Sequence, residues 1–189
     1  MYLHPNNIAE AFELMRRESQ IGKGAYRNDP EDPPNSLSLE KILNPLKYCK
    51  KADAYDKLFY GRVGYLYDLQ FLRSHLPPSI LPREISSLPG ESVKLILQSG
   101  ISLSSEVLPD DPPLLRKWHD KTCLGAAHGM LGILTILMPE HRIFHHGDLL
   151  TEEDLRMLER TVDWLIRQRD NEGNLPSSLE NSGGNNGWK

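Results

Sequence analysis

The chain has little of what would place it in several common protein classes. Only two cysteines, Cys49 and Cys123, occur in 189 residues, too few for a disulfide scaffold. The first residues after Met1 include His4, Pro5, Asn6 and Asn7 rather than the apolar core of a signal peptide. Together these favour a reducing, cytoplasmic setting. The longest apolar run, Met130 to Met138, is interrupted by Gly132 and falls far short of the roughly 20 residues of a membrane span, so no transmembrane segment is expected. Basic charge is not in excess: 22 basic and 26 acidic side chains give a net charge of −4, spread evenly, with no electrostatic footprint for nucleic acid or anionic lipid. Alternating β-branched or aromatic stretches of useful length are absent as well, which argues against a sheet. The fold class that remains is all-α.

Helical spacing is what the sequence does contain. Ile8, Ala9, Phe12 and Met15 suggest a short amphipathic helix behind Asn6 and Asn7. From Gly22 to Ser38 a proline-rich, turn-forming stretch reads as a linker or mobile loop. We therefore divide the chain into residues 1–38, a short helix and loop, and 39–189, a helical domain. A helix from Leu39 carries Ile42, Leu43 and Leu46, with Pro45 expected to bend it or end it early. A second runs from about Val63 to Leu76, and Pro77-Pro78 stops it. Glu91 to Gln98 forms a third, with Ser99-Gly100 as its C-terminal stop. Asp110-Asp111-Pro112-Pro113 opens a new element that begins with Leu114, Leu115 and Trp118. The run Met130–Met138 is apolar almost all round and should be buried on most sides. Thr151 to Arg169 is amphipathic, with a capped, acidic N-terminus in Thr151 to Asp154. The last twenty residues read as loop.

One device occurs twice. Tyr60-Gly61-Arg62-Val63-Gly64-Tyr65-Leu66 aligns with His128-Gly129-Met130-Leu131-Gly132-Ile133-Leu134, 68 residues further on. Each is a Gly-x-x-Gly step leading into an apolar helix. Paired glycines at a helix start let backbones approach closely and leave amide donors uncovered, which makes either tight packing or a small-ligand pocket. Arg62 in the first step could present its fork to an anionic group or pair with a neighbouring acid. His145-His146 has no third ligand nearby and reads as exposed loop. Cys123 reads as a small buried filler rather than a nucleophile, and Tyr65 and Tyr67 as packing residues.

With these residues in hand, the chain resembles LanC-like (lanthionine synthetase C-like) proteins of the eukaryotic type. The matching stretches are Leu58 to Tyr67, Ile96 to Gly100, Gly125 to Ile133 and Gly173 to Ser178, in the family's order and spacing. The resemblance implies a partial α/α toroid, a double-layered helical barrel incomplete in this chain, whose inner helices are entered through glycine steps that face a central site. It implies a family chemistry in which a thiol, from a peptide cysteine or glutathione, adds to a dehydroamino acid to form a thioether, with zinc holding the thiol. His128 matches the family's pocket histidine, an acid/base group for the enolate formed after addition, a role that imidazole suits. Arg62, Tyr60 and Gly129 are the accompanying substrate-binding candidates.

Zinc is expected in the complete family member and not in this chain: the family's first ligand cysteine opens a Cys-His-Gly step after the loop that Gly173 to Lys189 resembles. Neither Cys49 nor Cys123 stands at a ligand position. Many relatives carry an acid four residues before the first glycine, where this chain has Lys57, with Asp56 adjacent. The expected partners are a peptide or glutathione substrate, with association through exposed faces of inner helices, and the expected location is cytoplasmic or peripheral at the plasma membrane. A non-catalytic helical binding or scaffold module, or a truncated product without activity, stands as the alternative to an enzyme.

Overall fold

The computed structural model describes residues 36–59, 61–75, 83–105, 112–117, 121–126, 128–138 and 149–181. The expectations for residues 6–15, for the proline-rich stretch before Ser36, and for Tyr60, Trp118 and His145-His146 lie outside these. The described elements are helices: α1 (Ser36–Cys49), α2 (Arg62–His75), the single turn α3 (Arg83–Ser86), α4 (Leu88–Ser105), α5 (Met130–Leu137), α6 (Glu152–Arg167), and a 3-10 turn at Leu179–Asn181. An isolated antiparallel bridge joins Cys123 and Ser178. The all-α reading holds.

Helices α2 and α4 pack on each other and form the centre. On one side of them α1 buries Ile42, Leu46 and Cys49 against Tyr65, Leu69, Leu72, Ile85 and Leu88. On the other side Val63, Leu66, Val93, Ile96 and Leu97 join Leu114, Leu115, α5 and the inner face of α6 in the larger core. Both tyrosines of α2 pack as expected: Tyr67 lies against the larger core, and Tyr65 is fully buried and donates its hydroxyl proton to the carbonyl of Ile42 at 2.9 Å.

Three local expectations are corrected. The first helix begins at Ser36, inside the stretch read as linker, and runs through Pro45 to Cys49. Proline costs that helix one amide donor, but burial of Ile42, Leu46 and Cys49 around it holds the turn in place. Ser99-Gly100 does not end a helix either, since α4 continues to Ser105. Gly100 is there for a different reason: a Cβ on it would collide with the Arg116 guanidinium. Finally, residues 112–117 are not helical. This segment lies along α4, where Leu115 N–H donates to the Gly100 carbonyl at 3.1 Å and the Ser104 hydroxyl to the carbonyl of Pro112.

Helix α5 is buried on most sides, as its composition requires, with Leu131 as an exposed exception. Helix α6 is amphipathic and buries Leu158, Thr161 and Leu165. Its N-terminus is a capping box, in which Thr151 Oγ1 accepts from Asp154 N–H at 3.2 Å and Asp154 Oδ2 accepts from Thr151 N–H at 2.8 Å. Leu131 and Ile166 leave an exposed apolar edge where α5 meets α6.

Candidate functional site

The site is built on the two glycine steps, whose backbones share amide bonds at two equivalent positions. Arg62 N–H donates to the Tyr55 carbonyl at 2.9 Å; 68 positions later Met130 N–H donates to the Cys123 carbonyl at 3.0 Å. Tyr65 N–H meets the Gly61 carbonyl at 3.1 Å, and Ile133 N–H meets that of Gly129 at 3.4 Å. The glycines are needed for the same contacts. A Cβ on Gly61 would stand 2.5 Å from the Lys57 carbonyl oxygen, and one on Gly129 2.6 Å from that of Gly125. A Cβ on Gly64 would meet the Leu58 carbonyl oxygen and one on Gly132 that of Ala126, at separations no packing tolerates. Each step therefore presses a helix start onto the loop just before it. The close approach of Gly129 is to its own loop, Cys123 to Gly125, which is where the structure puts this expected substrate contact.

The second loop is pinned from the C-terminal side. Leu124 N–H donates to the Ser177 carbonyl at 3.1 Å, Leu179 N–H to the Thr122 carbonyl at 3.0 Å, and Thr122 N–H to Glu180 Oε1 at 3.0 Å. Gly173, at φ 88°, supplies the left-handed residue of the turn that brings this segment back, and Asp170 Oδ1 accepts from Glu172 N–H and Asn174 N–H within it. Those bonds hold the Asp170 carboxyl below the usual carboxylate range. The Gly173 to Ser178 stretch thus serves to fix the loop that carries His128.

The first step carries charge. Arg62 is buried, and its guanidinium is engaged on every nitrogen: Nε donates to the Cys49 carbonyl at 2.7 Å, Nη2 to that of Lys51 at 2.7 Å, and Nη1 to that of Ala54 at 2.8 Å and to Asp56 Oδ1 at 2.9 Å. Of the two roles open to Arg62 in the sequence, the one seen is pairing with a neighbouring acid, and the pair lies in the interior rather than on the surface. Asp56 is a junction. Its Oδ2 accepts from the Ser99 hydroxyl on α4 at 2.6 Å and lies 3.4 Å from Nε of a second buried arginine, Arg116. The rest of that guanidinium donates to the carbonyls of Leu115 and Ile96. Burial, and then the nearby Arg62, push the Arg116 pKa down while Asp56 holds it up.

Asp56 and Arg116 open onto a small cleft, with room for about one water molecule, completed by Tyr55, Lys57, Lys117, His128 and Ile133. His128 is half-buried there, with its ring edge-on to Phe59 at a centroid separation of 6.2 Å. The structure therefore brings together His128, the Asp56–Lys57 pair and two cations that sequence reasoning missed, Arg116 and Lys117. A signal for Arg116 was present: a lone charge beside Leu114 and Leu115 must be paired if that run is buried.

Among the described residues no three His, Cys, Asp or Glu side chains are grouped so as to hold a metal ion. The thiols do not fit that role. Burial pushes Cys49 up to about 12, and burial together with Glu180 raises Cys123, whereas a metal-ligating or attacking thiol needs the opposite shift. No described helix is long and apolar enough to cross a membrane.

An all-α fold whose buried helices are entered through repeated Gly-x-x-Gly steps has the architecture of the α/α toroids. A family model described as lanthionine synthetase C-like protein matches residues 25–188, and the chain belongs to that family. It is 37% identical over 97 residues to the zebrafish (Danio rerio) protein named glutathione S-transferase LANCL1, covering 51% of this chain and 23% of that protein. To LanC-like protein GCL1 of Arabidopsis thaliana it is 33% identical over 129 residues, covering 68% of this chain and 27% of the relative. The chain thus spans about a quarter of the length of these relatives.

Proposed function

We propose that this segment forms the acceptor side of a thiol-addition site, at which a thiol from glutathione or a peptide cysteine joins a dehydroamino acid in a peptide. The observation that carries the reading is His128, half-buried at the second glycine step and lining a cleft with fixed charges. When sulfur bonds to the β-carbon of the dehydroamino acid, the π electrons move toward the neighbouring carbonyl and leave an enolate. The imidazole then delivers a proton to the α-carbon, and the product is a thioether. The edge-on contact with Phe59 and the fixed loop behind His128 supply the positioning such a proton donor needs. Neither described cysteine has a lowered pKa, so no thiol activation is assigned to these residues. The name of the zebrafish relative supports glutathione as the thiol.

The test is thiol addition to a dehydroalanine peptide, followed by mass spectrometry with glutathione as donor. His128→Ala and His128→Gln should each slow the enzymatic rate by roughly 10²- to 10⁴-fold, the usual contribution of a positioned acid or base. Rates equal to wild type in both variants would remove His128 from the chemistry. A wild-type rate no faster than the uncatalysed addition would sink the enzyme reading and leave the helical binding module.

A further inference from the structure

We propose that the groove between α5 and α6 is the contact face of a two-fold dimer, closed by the same groove of a second copy of the chain. The proposal stands apart from the thiol-addition reading and uses none of its residues.

The repeat shows what kind of surface this is. Leu131, Leu134 and Thr135 on α5 stand 68 positions after Val63, Leu66 and Tyr67 on α2. On α2, which packs against α5, that face is used inside the molecule: Val63 and Leu66 are fully buried in the larger core, and Tyr67 lies against it. On α5 the equivalent face lines an open groove of about 300 Å³, walled on its other side by Val162, Leu165 and Ile166 of α6. Leu131 and Ile166 are 40% and 46% exposed there. A face that packs against a helix in its first copy is thus apolar and open in its second, and covering it with another helix removes apolar surface from water.

The charges along the groove identify the occupant. Glu159, Val162, Ile166 and Arg169 follow one another at spacings of three, four and three, which places them on one stripe of α6 and the turn that continues it. The acid stands at one end and the base at the other, about 15 Å apart at a helical rise of 1.5 Å per residue, and both are exposed. Two such stripes laid antiparallel about a two-fold axis at position 164 set Val162 of one copy against Ile166 of the other, and Glu159 against Arg169. A parallel pairing would oppose like charges at both ends. The groove is therefore complementary to itself in one orientation, which is what a two-fold contact requires. Arg169 is held to the stripe by its Nε, which donates to the Ile166 carbonyl at 3.0 Å.

Sedimentation equilibrium of the full 189-residue chain at constant ionic strength tests this. The wild type should dimerise with a Kd in roughly the micromolar range. Ile166→Glu should leave a monomer with unchanged helical content, because that side chain is half exposed in the single chain. Glu159→Arg and Arg169→Glu should each weaken the dimer by roughly tenfold or more, since each sets like charges against one another at both ends of the contact. Combined in one chain, the two reversals should restore the Kd to within about threefold of wild type, an outcome that a merely sticky surface does not give. Arg160→Gln, beside the stripe on α6, should change nothing. A chain that stays monomeric to about 200 μM, an Ile166→Glu variant that dimerises like wild type, or a double reversal no tighter than the single ones would overturn the two-fold contact.

Discussion

Gly132 and Gly125 lie seven residues apart in the same step and predict opposite responses to a single methyl group. A Cβ on Gly132 would collide with the Ala126 carbonyl, a backbone atom that cannot swing aside, whereas a Cβ on Gly125 meets nothing within 4 Å. Gly132→Ala should therefore cost at least about 2–3 kcal/mol through overpacking, and Gly125→Ala should be neutral within about 0.5 kcal/mol. Urea titration of both variants checks this, and equal losses would show that helix propensity rather than the step contact governs the region. Glycines at fixed offsets are legible in a sequence because nothing else satisfies such contacts. Arginines are not legible in that way. Arg62 and Arg116 have the same side chain, but only the fold decides that the first is enclosed by the carbonyls of Cys49, Lys51 and Ala54 while the second reaches a cleft.

Helix boundaries were readable where local chemistry sets them and unreadable where distant packing does. The start of α6 belongs to the first kind, since Thr151 and Asp154 satisfy each other's amides without help from the rest of the chain. Thr151→Ala should lower stability by about 1 kcal/mol, measured as a shift in urea midpoint, with little change in the far-UV spectrum. Gly100 belongs to the second kind: glycine after Ser99 reads as a stop until Arg116 is seen to occupy its open side. Pro45 likewise breaks a helix only when no tertiary contacts hold it. Helix α2 adds a pH dependence that no periodicity reveals. Burial raises the Asp68 carboxyl to about 7, well above the ~4 of an unfolded chain. Below about pH 4 both states are protonated and the residue costs nothing. Between about 4 and 7 the unfolded state ionises first, so stability should fall as pH rises, and above that range it should level off. Asp68→Asn should flatten this slope in urea midpoints measured from pH 4 to 8. A slope unchanged by the substitution would assign the titration elsewhere.

At the scale of the whole molecule, two cores meet across α2 and α4, and the charged junction at Asp56 ties the segments around them together. Asp56 stands on the loop before α2, Arg62 on α2, Ser99 on α4, and Arg116 on the segment that returns along α4. The family and the helical class were legible because the glycine steps and apolar periods are local patterns. The junction was not, because it joins positions up to sixty residues apart through contacts that only the assembled helices create. Its contribution can be isolated with Asp56→Asn, which keeps the side-chain shape and removes the charge. Two buried guanidinium groups would then face each other without a counter-charge, and removing one partner of a buried ion pair costs about 3–5 kcal/mol. Because the junction holds both α2 and α4, amide protection in native-state hydrogen exchange should fall in the Ile42–Leu69–Leu72 core as well as in the Leu66–Ile96–Ile133 core. A loss confined to one core would make the junction a local clamp. An unfolding free energy within about 1 kcal/mol of wild type would mean that the Arg62 bonds to the carbonyls of residues 49, 51 and 54 hold the loop without the carboxylate.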